Sequence, residues 1–332
     1  MFAEAIATII EHHGSPDAVR AIEGGGSAQP LAAAISDAGF LELLAPEHLG
    51  GGGAGWRDFF EVVLLCGASA LPLPLAQTMA ARLLLDDPRR LPGGFITFAP
   101  VLQPVNGALQ AVQVPFARTA SQVIAVLDGQ LVLLPVSEAH QLPSGVHGSL
   151  RAALHWPASS ARALAGGVDP AALAPLAALL HAGLLAGAMK RCFDMTMAYA
   201  NQRVQFGKPI GKFQAIQHQL SVMAEQVAAG RMAAEAAFAA TTRLPRLAAC
   251  AVAKARASEA AQLVASAAHA VHGAIGVTEE YDLQLYTRRL HEWRLADGSE
   301  ACWHRVLGRL ALDSTQPLAA DFARTVWEAA EA

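Results

Sequence analysis

Arg203-Val204-Gln205-Phe206-Gly207-Lys208-Pro209-Ile210-Gly211-Lys212-Phe213-Gln214 sits between two helical patterns. Upstream, residues 176–201 are nearly free of charge until Lys190-Arg191 and then turn amphipathic. Downstream, Phe213, Ile216, Leu220, Met223 and Val227 recur at alternating spacings of three and four, a stripe along one helix face. Between them Gly207, Pro209 and Gly211 break any helix. A turn that tight exposes backbone N–H groups at the start of the second helix, beside Arg203, Lys208 and Lys212. Such a corner suits an anion, because N–H groups and the helix dipole both favour negative charge there. An ordinary helix–helix corner with a solvated arginine is the plainer alternative.

Composition narrows the class. The 332 residues suggest two or three domains, and 53% are hydrophobic against 16% charged, a helical-bundle composition. A formal net charge of −4 leaves no electrostatic footprint for nucleic acid. Cys66, Cys192, Cys250 and Cys302 show no CxxC spacing and read as reduced core residues of a cytoplasmic protein. Glu4 and the lack of a basic stretch argue against a secretory signal at the N-terminus. Residues 170–189 carry no formal charge over about the length of a membrane span. Pro175, His181 and Gly183 interrupt them, and no second stretch looks alike, so a buried bundle helix and no membrane span are expected.

The Arg-x-Gln-Phe-Gly-Lys-Pro-Ile turn, then Phe213-Gln214-x-Ile216-Gln217 and Met223-Ala224-Glu225, resembles the signature turn of the acyl-CoA dehydrogenase family. Other stretches extend the resemblance. Gly39-Phe40-Leu41, the Pro46-Glu47-x-x-Gly50-Gly51 segment, residues 58–66 and Leu71-Pro72-Leu73-Pro74 are similar to its N-terminal helical domain. The glycine run 50–53 is a weak dinucleotide signal, since no strand precedes it. Residues 271–276 are similar to the family's glycine turn, with Ala270 where a glutamine often stands, and Glu279-Glu280-Tyr281 to Arg288-Arg289 match its next helix. His269 and His272 have no third companion for a metal, and none is expected.

The expected fold is mainly α with a small β unit. It comprises a helical domain over 1–91, a truncated β domain over 92–160 and a C-terminal helical bundle over 161–332. Residues 95–98, 108–114, 123–127 and 130–134 read as strands of a small antiparallel unit, with Asp128-Gly129 supplying a two-residue hairpin turn. The unit departs from the family: it has no Thr-Glu-Pro segment, which in relatives helps wall the flavin and the thioester.

The resemblance implies FAD-dependent α,β-dehydrogenation of an acyl-CoA thioester, with an electron-transfer flavoprotein as acceptor. It places Arg203, Gln205, Phe206, Ile210, Phe213, Gln214, Gly273 and Ser299 on the cofactor, the turn serving an FAD held mainly by a neighbouring subunit. Trp293-Arg294-Leu295-Ala296-Asp297-Gly298-Ser299-Glu300 falls where the family carries its base, and Asp297 is the one carboxylate at a known base position. The alternative base position, 176–184, offers only His181. Asp, Gly and Ser also suit a helix N-cap, so capping stands beside catalysis. Retained contacts to a neighbour's FAD and missing walls for its own imply a shortened subunit. It would form a homo- or hetero-oligomer with a full-length dehydrogenase, as paired bacterial chains do in lipid or sterol catabolism. A flavin-free structural or regulatory subunit is the alternative.

Overall fold

Three hairpins share one device. Asn106-Gly107, Asp128-Gly129 and Phe206-Gly207 each form a two-residue loop with both residues at positive φ, flanked by the facing pairs Val105–Ala108, Leu127–Gln130 and Gln205–Lys208. That is the backbone of a type I′ turn, whose twist matches that of the strands it joins. The Asp128-Gly129 hairpin was expected from sequence, and Asn106-Gly107 is the same signal in a stretch not read as strand.

The chain is seen in a computed structural model that describes residues 2–327. It divides into two compact units. The first runs to Val62, resumes over Leu71–Leu180 and includes Thr242–Leu244. It contains α1 (Phe2–His13), α2 (Pro16–Glu23), α3 (Gln29–Asp37), most of α4 (Trp56–Ala68) and α5 (Leu75–Ala81). α3 ends where Gly39 takes φ +78° and turns the chain into a short 3-10 segment.

Eight strands follow: β1 (Ile96–Ala99), β2 (Gln103–Val105), β3 (Ala108–Val114), β4 (Gln122–Leu127), β5 (Gln130–Pro135), β6 (His140–Pro143), β7 (Ala152–Pro157) and β8 (Arg162–Ala163). They form two four-stranded sheets, ordered β1-β4-β5-β8 and β2-β3-β7-β6. The expected small antiparallel unit needs correction on two counts. β1 pairs with β4 in parallel, and β2, β6, β7 and β8 were not foreseen. β2 and β6 are mostly exposed and carry no apolar run to announce them. Leu109, Val123, Leu134, Leu154 and Trp156 are buried in one core, and the Trp156 indole N–H donates to the Pro135 carbonyl at 2.8 Å.

The second unit holds Val63–Ala70, His181–Thr241 and the described residues from Pro245 onward. Its elements are α6 (Leu173–Gln202, which begins in the first unit), β9 (Val204–Gln205), β10 (Lys208–Pro209), α7 (Gln214–Phe238), α8 (Leu247–His272), α9 (Leu283–Leu295), α10 (Glu300–Leu312) and α11 (Ala319–Thr325). The expected stripe on α7 is the buried one, through Leu220, Met223 and Val227. Glycines let two helices approach closely: a Cβ at Gly67 would collide with the Leu184 carbonyl, and one at Gly187 with that of Leu64. Two helical stretches, Pro170–Gln202 and Leu247–Val277, are long and apolar enough to cross a membrane by length and composition alone. The second corrects the expectation that nothing else in the chain resembles a span. In the first, 83% of the most apolar window is buried inside the protein, as in a core helix.

Candidate functional site

α6 ends where Gln202 gives way to the β9–β10 hairpin. The Arg203 N–H still reaches the Tyr199 carbonyl at 2.8 Å, and the Ile210 N–H returns to the Arg203 carbonyl at 2.8 Å, closing the loop. The tip residue Phe206 adopts φ +50° and is 92% exposed. Arg203, Gln205, Lys208, Lys212 and Gln214 are exposed around it. Phe213 is half-buried; Phe206 meets its ring edge-on at 6.1 Å and the Lys208 ammonium sits 4.4 Å from its centre. Ile210 is different. It lies in a small core with Ala200, Leu220 and Val271, and so supports the hairpin from beneath.

Phe213 occupies the N-cap position of α7 and has no side chain able to cap it. The Ile216 and Gln217 N–H groups turn back to the Phe213 carbonyl, which leaves those of Gln214 and Ala215 at the start of a 25-residue helix, near Arg203, Lys208 and Lys212 in the chain. The turn at Gly273 joins this end of the unit. Tyr199 stacks on His272 at 4.4 Å, and its hydroxyl donates to the His272 carbonyl at 3.4 Å. Gly273 itself takes φ +65°, where a side chain would be strained. His272 Nδ1 bonds the Ala268 carbonyl and His269 Nε2 meets Thr287. Burial pulls both imidazoles below the usual histidine range. Arg203, Gln205, Phe206, Ile210, Phe213, Gln214 and Gly273 thus belong to one end of the bundle. Ser299 does not: it is the N-cap residue of α10 and stands with Asp297.

Asp297 is at a second place. Its carboxylate Oδ2 lies 2.8 Å from His181 Nδ1, with side-chain exposures of 7% and 1%. Its backbone is left-handed at φ +52°, and the Trp303 indole N–H donates to its carbonyl at 2.9 Å. Asp297 is two residues ahead of the N-cap position, which Ser299 fills without a side-chain hydrogen bond. The Asp297 carboxylate is thus turned to an imidazole instead of capping α10. The two places that the resemblance offered for a base, Asp297 and the stretch 176–184 through its His181, are in contact here.

One residue of this cluster escaped the sequence reading. Lys254 is fully buried in α8; its ammonium donates to the Trp293 and Arg294 carbonyls at 2.9 and 2.8 Å and to Ser258 Oγ at 3.0 Å. It holds the C-terminal end of α9, where the dipole favours a cation. Burial, the largest cause, pulls Lys254 down to about 7, against the opposing charges of Asp297 and Glu300. The available signal was a lone lysine between alanines in an apolar helix, Ala253-Lys254-Ala255.

The donor set at the hairpin fits the outer end of a dinucleotide. A guanidinium and two ammonium groups suit a diphosphate, two carboxamides suit ribose or base, and an exposed phenyl ring suits an aromatic base. No group of three or more His, Cys, Asp or Glu is arranged for a metal among the described residues.

Residues 175–312 match the family model for the acyl-CoA dehydrogenase C-terminal domain. The chain is 31% identical over 304 residues to acyl-CoA dehydrogenase IpdE2 of Mycolicibacterium smegmatis, covering 88% of this chain and 91% of that protein. Among solved structures, the ChsE4–ChsE5 complex from Mycobacterium tuberculosis shares the fold at TM-score 0.80 and 22% identity, covering 95% of this chain and 97% of that one. A glutaryl-CoA dehydrogenase from Mycobacterium smegmatis in complex with FADH2 does so at TM-score 0.76 and 15% identity, covering 95% of each chain. Fold, signature turn and full-length relatives agree, and the chain belongs to the acyl-CoA dehydrogenase family.

Proposed function

We propose that this chain is the short subunit of a heteromeric, cytoplasmic acyl-CoA dehydrogenase that performs α,β-dehydrogenation of an acyl-CoA thioester in lipid or sterol catabolism. The observation that carries the proposal is Phe206: a bulky residue in left-handed backbone, 92% exposed, in a turn whose Arg203, Gln205, Lys208, Lys212 and Gln214 are exposed as well. The type I′ loop sets that backbone, but nothing in the hairpin calls for a phenylalanine in it, whereas a planar ligand brought by a neighbouring subunit would. The near full-length match to IpdE2 and the fold shared with a two-component complex favour a heteromer.

In this proposal Arg203, Lys208 and Lys212 hold the diphosphate of FAD, with the first-turn N–H groups of α7. Gln205, Gln214 and Phe206 cover its adenosine end, and the Gly273 turn closes the side. When bound, FAD supplies a hydride acceptor for the β hydrogen, and an electron-transfer flavoprotein takes the electrons onward. Asp297 removes the α proton. With Oδ2 held by His181, its other oxygen, Oδ1, is the atom assigned to accept it.

Arg203→Ala in the complex purified with its partner chain is the test. A charge-assisted contact of ~1.5–3 kcal/mol corresponds to FAD affinity weakened by about tenfold or more, read as flavin lost on gel filtration. Unchanged flavin occupancy sinks the assignment of the hairpin and leaves the flavin-free subunit in its place.

A further inference from the structure

His181 is the one polar side chain in the charge-free first half of α6, and it is 1% exposed. Burying an imidazole there is costly unless it has a task. The task is visible at its Nδ1, 2.8 Å from the Asp297 carboxylate. We infer that His181 is a positioning residue, holding Oδ2 of Asp297 so that Oδ1 is aimed for removal of the α proton; the inference rests on Asp297 being the base.

The backbone around Asp297 is already fixed from three sides. Lys254 grips the carbonyls of Trp293 and Arg294, just before the turn. The Trp303 indole grips the Asp297 carbonyl itself. Gly298 takes φ +99°, and a Cβ there would come within 2.8 Å of the Trp303 indole nitrogen, so only glycine fits. What these contacts leave free is the side chain, which still has rotamers to choose from. An aspartate is shorter than glutamate by one methylene, and a misplaced base forfeits rate steeply, about 10²-fold for a displacement on the order of 1 Å. A donor on one carboxylate oxygen removes that freedom and leaves the other oxygen basic. The same pattern, a carboxylate and an imidazole fixing one another's orientation, operates in catalytic triads with the roles reversed.

A merely structural ion pair would also join His181 to Asp297, so the test separates geometry from stability. The holo-complex is incubated in D2O with the saturated acyl-CoA that the wild type turns over fastest, and exchange of the α hydrogen is followed by NMR beside steady-state rates. His181→Asn keeps an N–H where Nδ1 stands; His181→Leu matches its size and removes the donor. The expected result is exchange and kcat lowered at least tenfold in His181→Leu, with KM and flavin content unchanged, and most of the rate recovered in His181→Asn. Should the leucine variant fail to assemble, His181→Gln replaces it, since its amide nitrogen reaches the Nε2 position and misses Nδ1. Equal rates in the donor and non-donor variants, both fast or both slow, overturn the inference while leaving Asp297 as base. Wild-type exchange in Asp297→Asn overturns both together.

Discussion

At the scale of single residues, comparison of the three hairpins isolates Phe206. Asn106 and Asp128 are residue types whose short polar side chains tolerate left-handed backbone, and each stands before a glycine in the same loop geometry. Phe206 takes that geometry without any such tolerance, at a cost of roughly 1–2 kcal/mol, and exposes a ring that would ordinarily be buried. A residue that breaks a conformational and a burial preference at once points to a functional site instead of a folding requirement. Phe206→Asn is therefore expected to raise the stability of the chain by about 1 kcal/mol in denaturant unfolding and to lower flavin retention in the complex. A variant that gains stability and keeps its flavin would show that the ring makes no contact with the cofactor.

At the scale of elements, Lys254 couples α8 to the end of α9. Its pKa falls from 10.5 to about 7 through burial. Between those values the unfolded chain holds a proton that the folded chain has shed, so stability rises with pH across that window and is lower beneath it. Lys254→Met should flatten this part of the curve, measured by urea unfolding at intervals from pH 6 to 11. A wild-type curve with no rise there would mean that the three acceptors and the C-terminus of α9 keep the ammonium charged. How legible these elements were follows from the range of the forces that make them. The α7 stripe and the Asp128-Gly129 turn are local patterns, and both were readable. β2 and β6 are specified by the neighbours they pair with, their own residues being polar or exposed, and they were not. The His181–Asp297 contact joins residues on α6 and ahead of α10, and no spacing encodes a pairing across 116 positions of chain.

At the scale of the whole molecule, the signature turn was visible in the sequence, but not what surrounds it. That Gly67 and Gly187 let α4 and α6 touch depends on the folded path of the chain, although each glycine was in plain view. The bundle also leaves large apolar side chains in water: Met232 on α7 is 69% exposed, Val222 42%, and Leu263 on α8 49%. Exposed apolar surface of this kind fits association through the bundle. The two determinants of flavin binding, the hairpin and the assembly, can then be separated. Met232→Glu places a charge at the proposed contact without touching the hairpin. It should lower the mass of the complex in sedimentation velocity, and flavin should be lost in proportion to the dissociated fraction if the FAD lies between chains as proposed. Arg203→Ala should lose flavin at unchanged mass. If Met232→Glu dissociates the complex and the separated chain stays yellow, the cofactor belongs to one chain alone. The hairpin would then be serving its own subunit.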